Sequence, residues 1–470
     1  MWHADGVKPD AAEVDRLADA AAIVLPALTE WLRFADVTAP ARSRTDWQSM
    51  LDQPLPKDGA GFEAALSELA KWVVPNGLPV GAPGFTGFIT TGPTTSAAVA
   101  QLAATVASPQ RYAVSAFNLL EAVSLRWLAE TCALPSDLTG VYSSGGSTAN
   151  LLALGAARQA AFERRGVDVA RDGLPARTVG AVYASAEAHH TIQRAAGVLG
   201  LGREGVRRIP ADDRQRMDAR ILAEVVARDV ADGVVPVAIV ATAGTTNTGA
   251  IDPVDAVADV ADRHDVWLHV DGAYGALFVL SRRVRDRLVR CGAADSIALD
   301  PHKLLFAPLE AGCLLVRDRE SLARAFRFGA SYLAADSDPL LVNFMDYGPE
   351  LSRRFRAFKI WCALRAFGVR AFECAADRAL ELALYMRDRI RETSAFELMA
   401  PVELSSVCLR LRALDDAGNH RVLTTLAAEG TALLGPVRLG GRTGIRCCIA
   451  NYRTTRADID LVLERLLRLA

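Results

Sequence analysis

The sequence predicts an α/β protein: a mostly parallel central sheet with helices on both faces, an N-terminal helical arm and a small C-terminal α+β domain. Three observations predict it. Between about residues 94 and 316, apolar strand-like runs alternate with helical stretches, the pattern of a sheet whose crossovers are helices. Before residue 80 the pattern is helical only. After about residue 367 a long helical run gives way to short strands around one helix.

The elements follow in order. Residues 11–34 read as an amphipathic helix, with Leu17, Ile23, Val24, Leu28 and Leu32 on one side and a kink or restart at Pro26. Residues 62–74 read as another. The Gly/Pro-rich stretch from Pro75 to Gly84 is the best early boundary. The boundaries expected are 1–80 for a dimerisation arm, 81–366 for the large domain and 367–470 for the small one. Strands are expected at Gly140–Ser143, Val179–Ala184, Val206–Ile209, Val235–Thr242, Val266–Asp271, Ser296–Asp300 and Cys313–Val316. Helices at 148–164, 189–199, 216–230 and 254–264 lie between most of them. The small domain reads as a helix over 370–393, strands at 405–412 and 443–450, a helix at 417–429 and a last helix over 455–470.

At 470 residues the chain is long enough for two to four domains. Hydrophobic residues make up 51% and charged residues 23%, so sizeable cores are available, and a net charge of −2 disfavours nucleic acid or an anionic membrane as partner. No stretch reads as a secretory signal or a membrane span. The eight cysteines lack C-x-x-C spacing and mostly lie among apolar residues, which favours reduced thiols and a cytoplasmic setting.

Four segments carry candidate chemistry, all at predicted strand ends, where parallel sheets keep their ligands. In Val141 to Leu151 a strand meets a Gly/Ser turn and then a helix. Free N–H groups at a helix start bind phosphate, and glycine lets the backbone approach it; Ser147 or Thr148 as an ordinary N-cap is the alternative. In Val266 to Gly275 a hydrophobic strand ends in Asp271, which could hold a metal, cap a helix or pair with a cationic nitrogen. In Ser296 to Leu305 a strand runs into Lys303, with apolar residues on one side and His302 on the other. A desolvated lysine becomes an amine nucleophile suited to a Schiff base, whereas a snorkelling lysine would be structural. In Ser185 to Thr191 an imidazole could stack on a ring, carry a proton or ligate a metal. Four of the seven histidines, His189, His190, His269 and His302, fall in these segments, and with Asp271 they leave a zinc site open. A phosphate cradle, a histidine, an aspartate and a lysine in that order match the needs of pyridoxal 5′-phosphate (PLP).

The runs Ala241 to Pro253, His269-Val270-Asp271-Gly272-Ala273-Tyr274 and Asp300-Pro301-His302-Lys303 resemble the group II PLP-dependent amino acid decarboxylases, which include aromatic L-amino acid, histidine, glutamate and diaminobutyrate decarboxylases. The resemblance runs from about residue 80 to Gly444-Ile445-Arg446. It implies PLP fold type I, like aspartate aminotransferase, with Lys303 as the Schiff-base lysine, Asp271 as partner of the pyridine nitrogen and His189 stacked on the ring. Gly146, Ser147, Thr148, Asp300 and His302 would surround the phosphate, with Thr246 and Ala273 beside the cofactor. Thr91, Phe88 and Arg446 would meet substrate, and Tyr332 would donate a proton from a loop shared across a homodimer.

Some positions depart from the family's aromatic-substrate branch. Asp300 stands where Asn is frequent, and Leu304 where an aromatic residue commonly follows the lysine. Phe85, Phe88 and Tyr112, in or beside segments that should wall the pocket, favour an aromatic L-amino acid, while Arg446 leaves an acidic one open. The activity expected is decarboxylation to an amine. Another PLP reaction, or a non-catalytic binding protein on the same fold, remains the alternative.

Overall fold

The computed structural model describes residues 16–33, 36–37, 44–107, 116–328 and 342–470. Its central sheet is made of β1 (Thr139–Ser143), β2 (Gly180–Ser185), β3 (Val206–Ile209), β4 (Val235–Thr242), β5 (Trp267–Asp271), β6 (Ser296–Leu299) and β7 (Gly312–Val316), in the spatial order β1-β7-β6-β5-β4-β2-β3. Strands β3, β2, β4, β5 and β6 run parallel to one another. β7 is antiparallel to both β6 and β1. Every residue of β2, β4, β6 and β7 is buried, as strands covered on both faces must be. That burial explains why they read as unbroken apolar runs.

The helices that matter here are α1 (Leu17–Arg33), α2 (Gly146–Glu163), α3 (Thr191–Val198), α4 (Ala219–Ala231), α5 (Val254–His264) and α6 (Ala357–Arg391). α2 packs on β4, β6 and β7 and is buried for most of its length. Ala149, Ala153, Ala156 and Ala157 keep its sheet side small, so the helix axis can approach the strands closely. α1 runs on through Pro26 where a kink or restart was expected, and none of its residues is buried. α6 contains a break at Gly368, whose φ of 69° and ψ of 162° lie outside the helical region. That break coincides with the change of texture near residue 367.

Beyond it lies a second sheet of β8 (Phe396–Leu398), β9 (Ser406–Leu411), β10 (Gly435–Leu439) and β11 (Arg442–Cys448), ordered β10-β11-β9-β8 and antiparallel throughout. β9 and β11 lie where strands are expected from the sequence, whereas β8 and β10 are not expected. Both are edge strands; β8 has three residues and β10 contains Pro436, so neither shows a strong strand signal. Helices α7 (Asp416–Ala428) and α8 (Arg456–Arg468) complete this region, whose own core includes Leu409, Leu426, Ile445 and Leu466.

Among the described residues no helix is long and apolar enough to cross a membrane. Cys132, Cys291, Cys313, Cys408, Cys447 and Cys448 are buried, whereas Cys374 is exposed.

Candidate active site

The parallel register brings the strand ends level. Thr242 at the end of β4 stands opposite Asp271 at the end of β5, and Asp271 opposite Ala298 in β6. The segments that follow each strand therefore open into one cavity of about 380 Å³. Such a volume lies in the range of small-molecule sites.

One wall is the turn between β1 and α2. Gly145 has φ 144°, a backbone conformation that side chains rarely adopt, and α2 begins at Gly146. A Cβ on Gly146 would lie 2.8 Å from Ala273 Cβ and 3.2 Å from Asp300 Oδ2. Gly145, Gly146 and Ser147 all line the cavity, so the leading backbone of α2 borders it. Thr148 does not line it and instead lies 2.7 Å, hydroxyl to hydroxyl, from Ser144.

Asp271 is buried, with both oxygens engaged. Oδ1 accepts from the Ala273 N–H at 3.2 Å and Oδ2 from Asn150 Nδ2 at 3.0 Å. Beside the apolar residues and His302 expected from sequence, Lys303 has a charged partner: its Nζ lies 2.9 Å from Asp300 Oδ2. A charge-paired amine is the physical reason this lysine tolerates a partly buried position. His302 sits 3.8 Å from the same oxygen, and its Nδ1 lies 2.6 Å from the Ala311 carbonyl. Burial pushes the His302 imidazole down, although the nearby Asp300 charge opposes this. His189 is likewise lowered by burial, against the pull of Asp271, and its Nδ1 is 2.9 Å from Thr191 Oγ1.

Phe88, Ile89, Thr246, Leu309 and Arg446 also line the cavity. Arg446 donates from Nη1 to the Thr246 carbonyl at 3.1 Å and from Nη2 to the Gly87 carbonyl at 2.9 Å. Its buried Nε has no partner among the described residues.

The cavity thus brings together Gly146, Ser147, His189, Thr246, Asp271, Ala273, Asp300, His302, Lys303, Phe88 and Arg446. Thr91 does not line it: it is buried and turns its hydroxyl to the Gly92 carbonyl at 2.9 Å. Phe85 is fully buried in a small cluster with Val37 and Ala82, so it is core rather than pocket wall. Tyr332 and Tyr112 lie outside the described residues. Asn150, Thr191, Thr242 and Leu309 line the cavity but were not singled out from sequence. Asn150 did leave a signal, as a polar residue inside the Ala- and Leu-rich first turns of a buried helix. Among the described residues no group of three or more His, Cys, Asp or Glu is arranged to hold a metal.

The donor set fits a phosphorylated aldehyde. There is a glycine cradle that a Cβ would fill, an amine lining the same cavity, and a buried hydroxyl, Thr242 Oγ1, with no partner among the described residues. Residues 46–412 match the pyridoxal-dependent decarboxylase conserved domain. The chain belongs to the pyridoxal-dependent decarboxylase family.

Within this family, the aromatic-L-amino-acid decarboxylase of Bacillus atrophaeus is 34% identical over 361 residues, 75% of this chain and 73% of that one. The cysteine sulfinic acid decarboxylase of Rattus norvegicus is 36% identical over 349 residues, 70% of each chain. A solved structure of Oryza sativa TDC with PLP and tryptamine superposes with a TM-score of 0.90 at 27% identity, covering 98% of this chain and 99% of that chain. The fold type I architecture, the PLP cofactor and the carboxy-lyase class expected from sequence therefore stand for this decarboxylase. Its relatives differ in the side chain they accept.

Proposed function

We propose that the enzyme decarboxylates an aromatic L-amino acid to the corresponding amine, with PLP held covalently at Lys303. The observation that carries the substrate side is the apolar wall that Phe88, Ile89 and Leu309 offer beside Arg446. Arg446 gives two of its five N–H donors to the Thr246 and Gly87 carbonyls, so backbone fixes the orientation of its guanidinium. Phe88 is 54% exposed and Leu309 62%, so both have apolar surface to give to a bound ring.

When bound, the cofactor accepts the electron pair released as carbon dioxide leaves. The protein's own residues do the rest. The Gly145–Gly146 turn and Ser147 hold the phosphate at the start of α2, where backbone N–H groups favour an anion. Asp271 would keep a proton on the ring nitrogen, and His189 would cover the ring. Thr246, whose carbonyl accepts from Arg446 Nη1, would stand beside the cofactor. Tyr332 is assigned, on the family resemblance, to deliver the proton to the substrate carbon. The exposed leucines of α1, Leu17, Leu25, Leu28 and Leu32, support a homodimer in which this helix packs on a second copy.

The test is a panel of amino acids offered to the PLP-saturated protein, with amine, aldehyde and carbon dioxide identified by mass spectrometry. Tryptophan, tyrosine, phenylalanine or dihydroxyphenylalanine should turn over fastest and give amine. Faster turnover of glutamate, aspartate, cysteine sulfinate or diaminobutyrate would overturn the substrate assignment. Borohydride should fix the cofactor to Lys303 and to no other lysine.

A further inference from the structure

A chain of hydrogen bonds runs behind the cavity. Trp267, His269 and Asp271 alternate along β5, so all three side chains share one face of the strand. Ser296 stands opposite His269 in β6. Trp267 Nε1 donates to Ser296 Oγ at 2.8 Å, and Ser296 Oγ lies 2.9 Å from His269 Nδ1. His269 Nε2 lies 2.9 Å from Asn150 Oδ1. Asn150 Nδ2 donates to Asp271 Oδ2 at 3.0 Å and to Thr191 Oγ1 at 3.2 Å, and Thr191 Oγ1 is 2.9 Å from His189 Nδ1. His269 and Asn150 are 0% and 1% exposed, so water cannot substitute for a missing partner.

The direction of every proton in this chain follows from its two ends. An indole N–H can only donate, and a carboxylate can only accept. The Asp271 carboxylate therefore requires the NH₂ side of the Asn150 amide, which leaves Asn150 Oδ1 facing His269. His269 must then carry its proton on Nε2, and its bare Nδ1 accepts from the Ser296 hydroxyl. The opposite tautomer could give its Nδ1 proton to the Ser296 carbonyl at 3.2 Å. It would also turn the amide oxygen of Asn150 onto the carboxylate. Burial lowers the His269 imidazole to about 4, so the ring is neutral. Thr191 accepts from Asn150, and the one partner for its own proton among the described residues is His189 Nδ1, so the hydroxyl donates there.

We infer that Asn150 and His269 are positioning residues for the decarboxylation. The amide of Asn150, locked by the Nε2 proton of His269, holds Asp271 as an oriented acceptor and, through Thr191, fixes which nitrogen of His189 bears its proton. One side chain thus sets both the carboxylate assigned to the ring nitrogen and the imidazole assigned to the ring face. This rests on the roles proposed above for Asp271 and His189. The titratable and charged groups facing His189 are Asp271, His190, Lys303 and Asp300, and the one facing His269 is Asp271.

Neutron diffraction from deuterium-exchanged crystals of the cofactor-free protein tests the proton order directly. Deuterium is expected on His269 Nε2 and absent from Nδ1, with both Asn150 deuterons directed at Asp271 and Thr191. Deuterium on Nδ1, or an Asn150 oxygen facing Asp271, overturns the inference whatever the reaction proves to be. The function is tested separately, by the borohydride adduct and the substrate panel. A second arm uses Asn150→Asp, which sets a carboxylate against Asp271. Its PLP affinity should fall by about tenfold to a hundredfold at neutral pH. It should also weaken further as pH rises and the shared proton is lost, a dependence absent from the wild type. His269→Gln, whose amide can still donate towards Asn150, should keep PLP affinity within about threefold, whereas His269→Leu should not. An Asn150→Asp protein with wild-type affinity and pH profile overturns the inference, as does equal PLP affinity in the Gln and Leu variants.

Discussion

Lys303 Nζ stands 2.9 Å from Asp300 Oδ2, three residues back along the chain. The second oxygen of the same carboxylate, Oδ1, is buried and has no hydrogen-bond partner among the described residues. Asp300 therefore serves the amine with Oδ2, which also lies 3.2 Å from a Cβ placed on Gly146, while Oδ1 lies 3.9 Å from one placed on Gly145. An anion held at that turn meets an acceptor where a donor would suit it better. Asp300→Asn supplies the donor, because the amide nitrogen can give a proton to phosphate. The variant should bind PLP about tenfold more tightly in a titration of the cofactor-free protein. Unchanged or weaker binding would show that the phosphate does not sit beside residue 300.

The residues that could be read from sequence are those that interrupt an apolar run. Asp271 ends β5 abruptly, Lys303 follows β6, and His189 follows β2; parallel strands with level ends then bring such residues to one place. Contacts between residues distant in the chain could not be read in the same way. Arg446 was expected to meet substrate, and its bonds to carbonyls 200 and 359 residues away had no sign in the sequence. Phe85 and Phe88 look alike as a pair, but the first is core and the second lines the cavity. Nothing local distinguishes them. Asn150 was visible as an oddity in a buried helix, but its partners on β5 and α3 depend on how α2 crosses the sheet.

The glycine cradle has a direct test in Gly146→Ala. The added methyl would meet Ala273 Cβ at 2.8 Å and Asp300 Oδ2 at 3.2 Å. The neighbours are a packed side chain and a carboxylate already engaged by Lys303, so neither yields freely. Overpacking of this kind should cost about 1–3 kcal/mol of stability, read by denaturant unfolding. The PLP affinity of the folded variant should fall more than its stability suggests, because the methyl occupies the phosphate side of the turn. A variant that binds PLP like the wild type would remove Gly146 from the cofactor site.

His269 makes stability depend on pH in a defined direction. Burial lowers the folded-state value to about 4 from the ordinary imidazole value of 6.5. Between those values the unfolded chain binds the proton and the folded chain does not, so stability is present above pH 6.5 and is lost as pH falls through 4. The full difference amounts to about 3 kcal/mol. Asp252 acts oppositely: burial pushes it up to about 7, so its contribution declines as pH rises. The measurement is therefore a comparison of wild type with His269→Gln. Urea unfolding at pH 7 and pH 4.5 should show the wild type losing more stability than the variant on acidification. Equal losses in the two proteins would mean that His269 is not a buried neutral imidazole.

Glu403 fastens the C-terminal region to the back of the cavity. Its side chain is 2% exposed, with Oε1 2.9 Å from Arg214 Nη2 and Oε2 2.8 Å from Arg287 Nη2. Oε2 also accepts from the Ile251 backbone N–H at 3.1 Å. The following residues continue the attachment. Leu404 lies so close to Gly244 and Gly275 that a Cβ on either glycine would come within 3 Å of its Cδ1, and Ser405 bonds the Tyr274 hydroxyl at 2.8 Å. Gly244 and Tyr274 both line the cavity, so Glu403 supports part of its wall from behind. Glu403→Ala would leave two guanidiniums and a buried N–H without their acceptor. Breaking a fully buried pair costs about 3–5 kcal/mol, but Arg214 and Arg287 are partly exposed and can recover water. The loss should therefore be about 2–4 kcal/mol, read as a shift in the denaturant midpoint. Glu403→Gln keeps an acceptor and should lose less. If the alanine variant unfolds at the wild-type midpoint, the clasp contributes nothing, and the position of Tyr274 must be held by Leu404 and Ser405 alone.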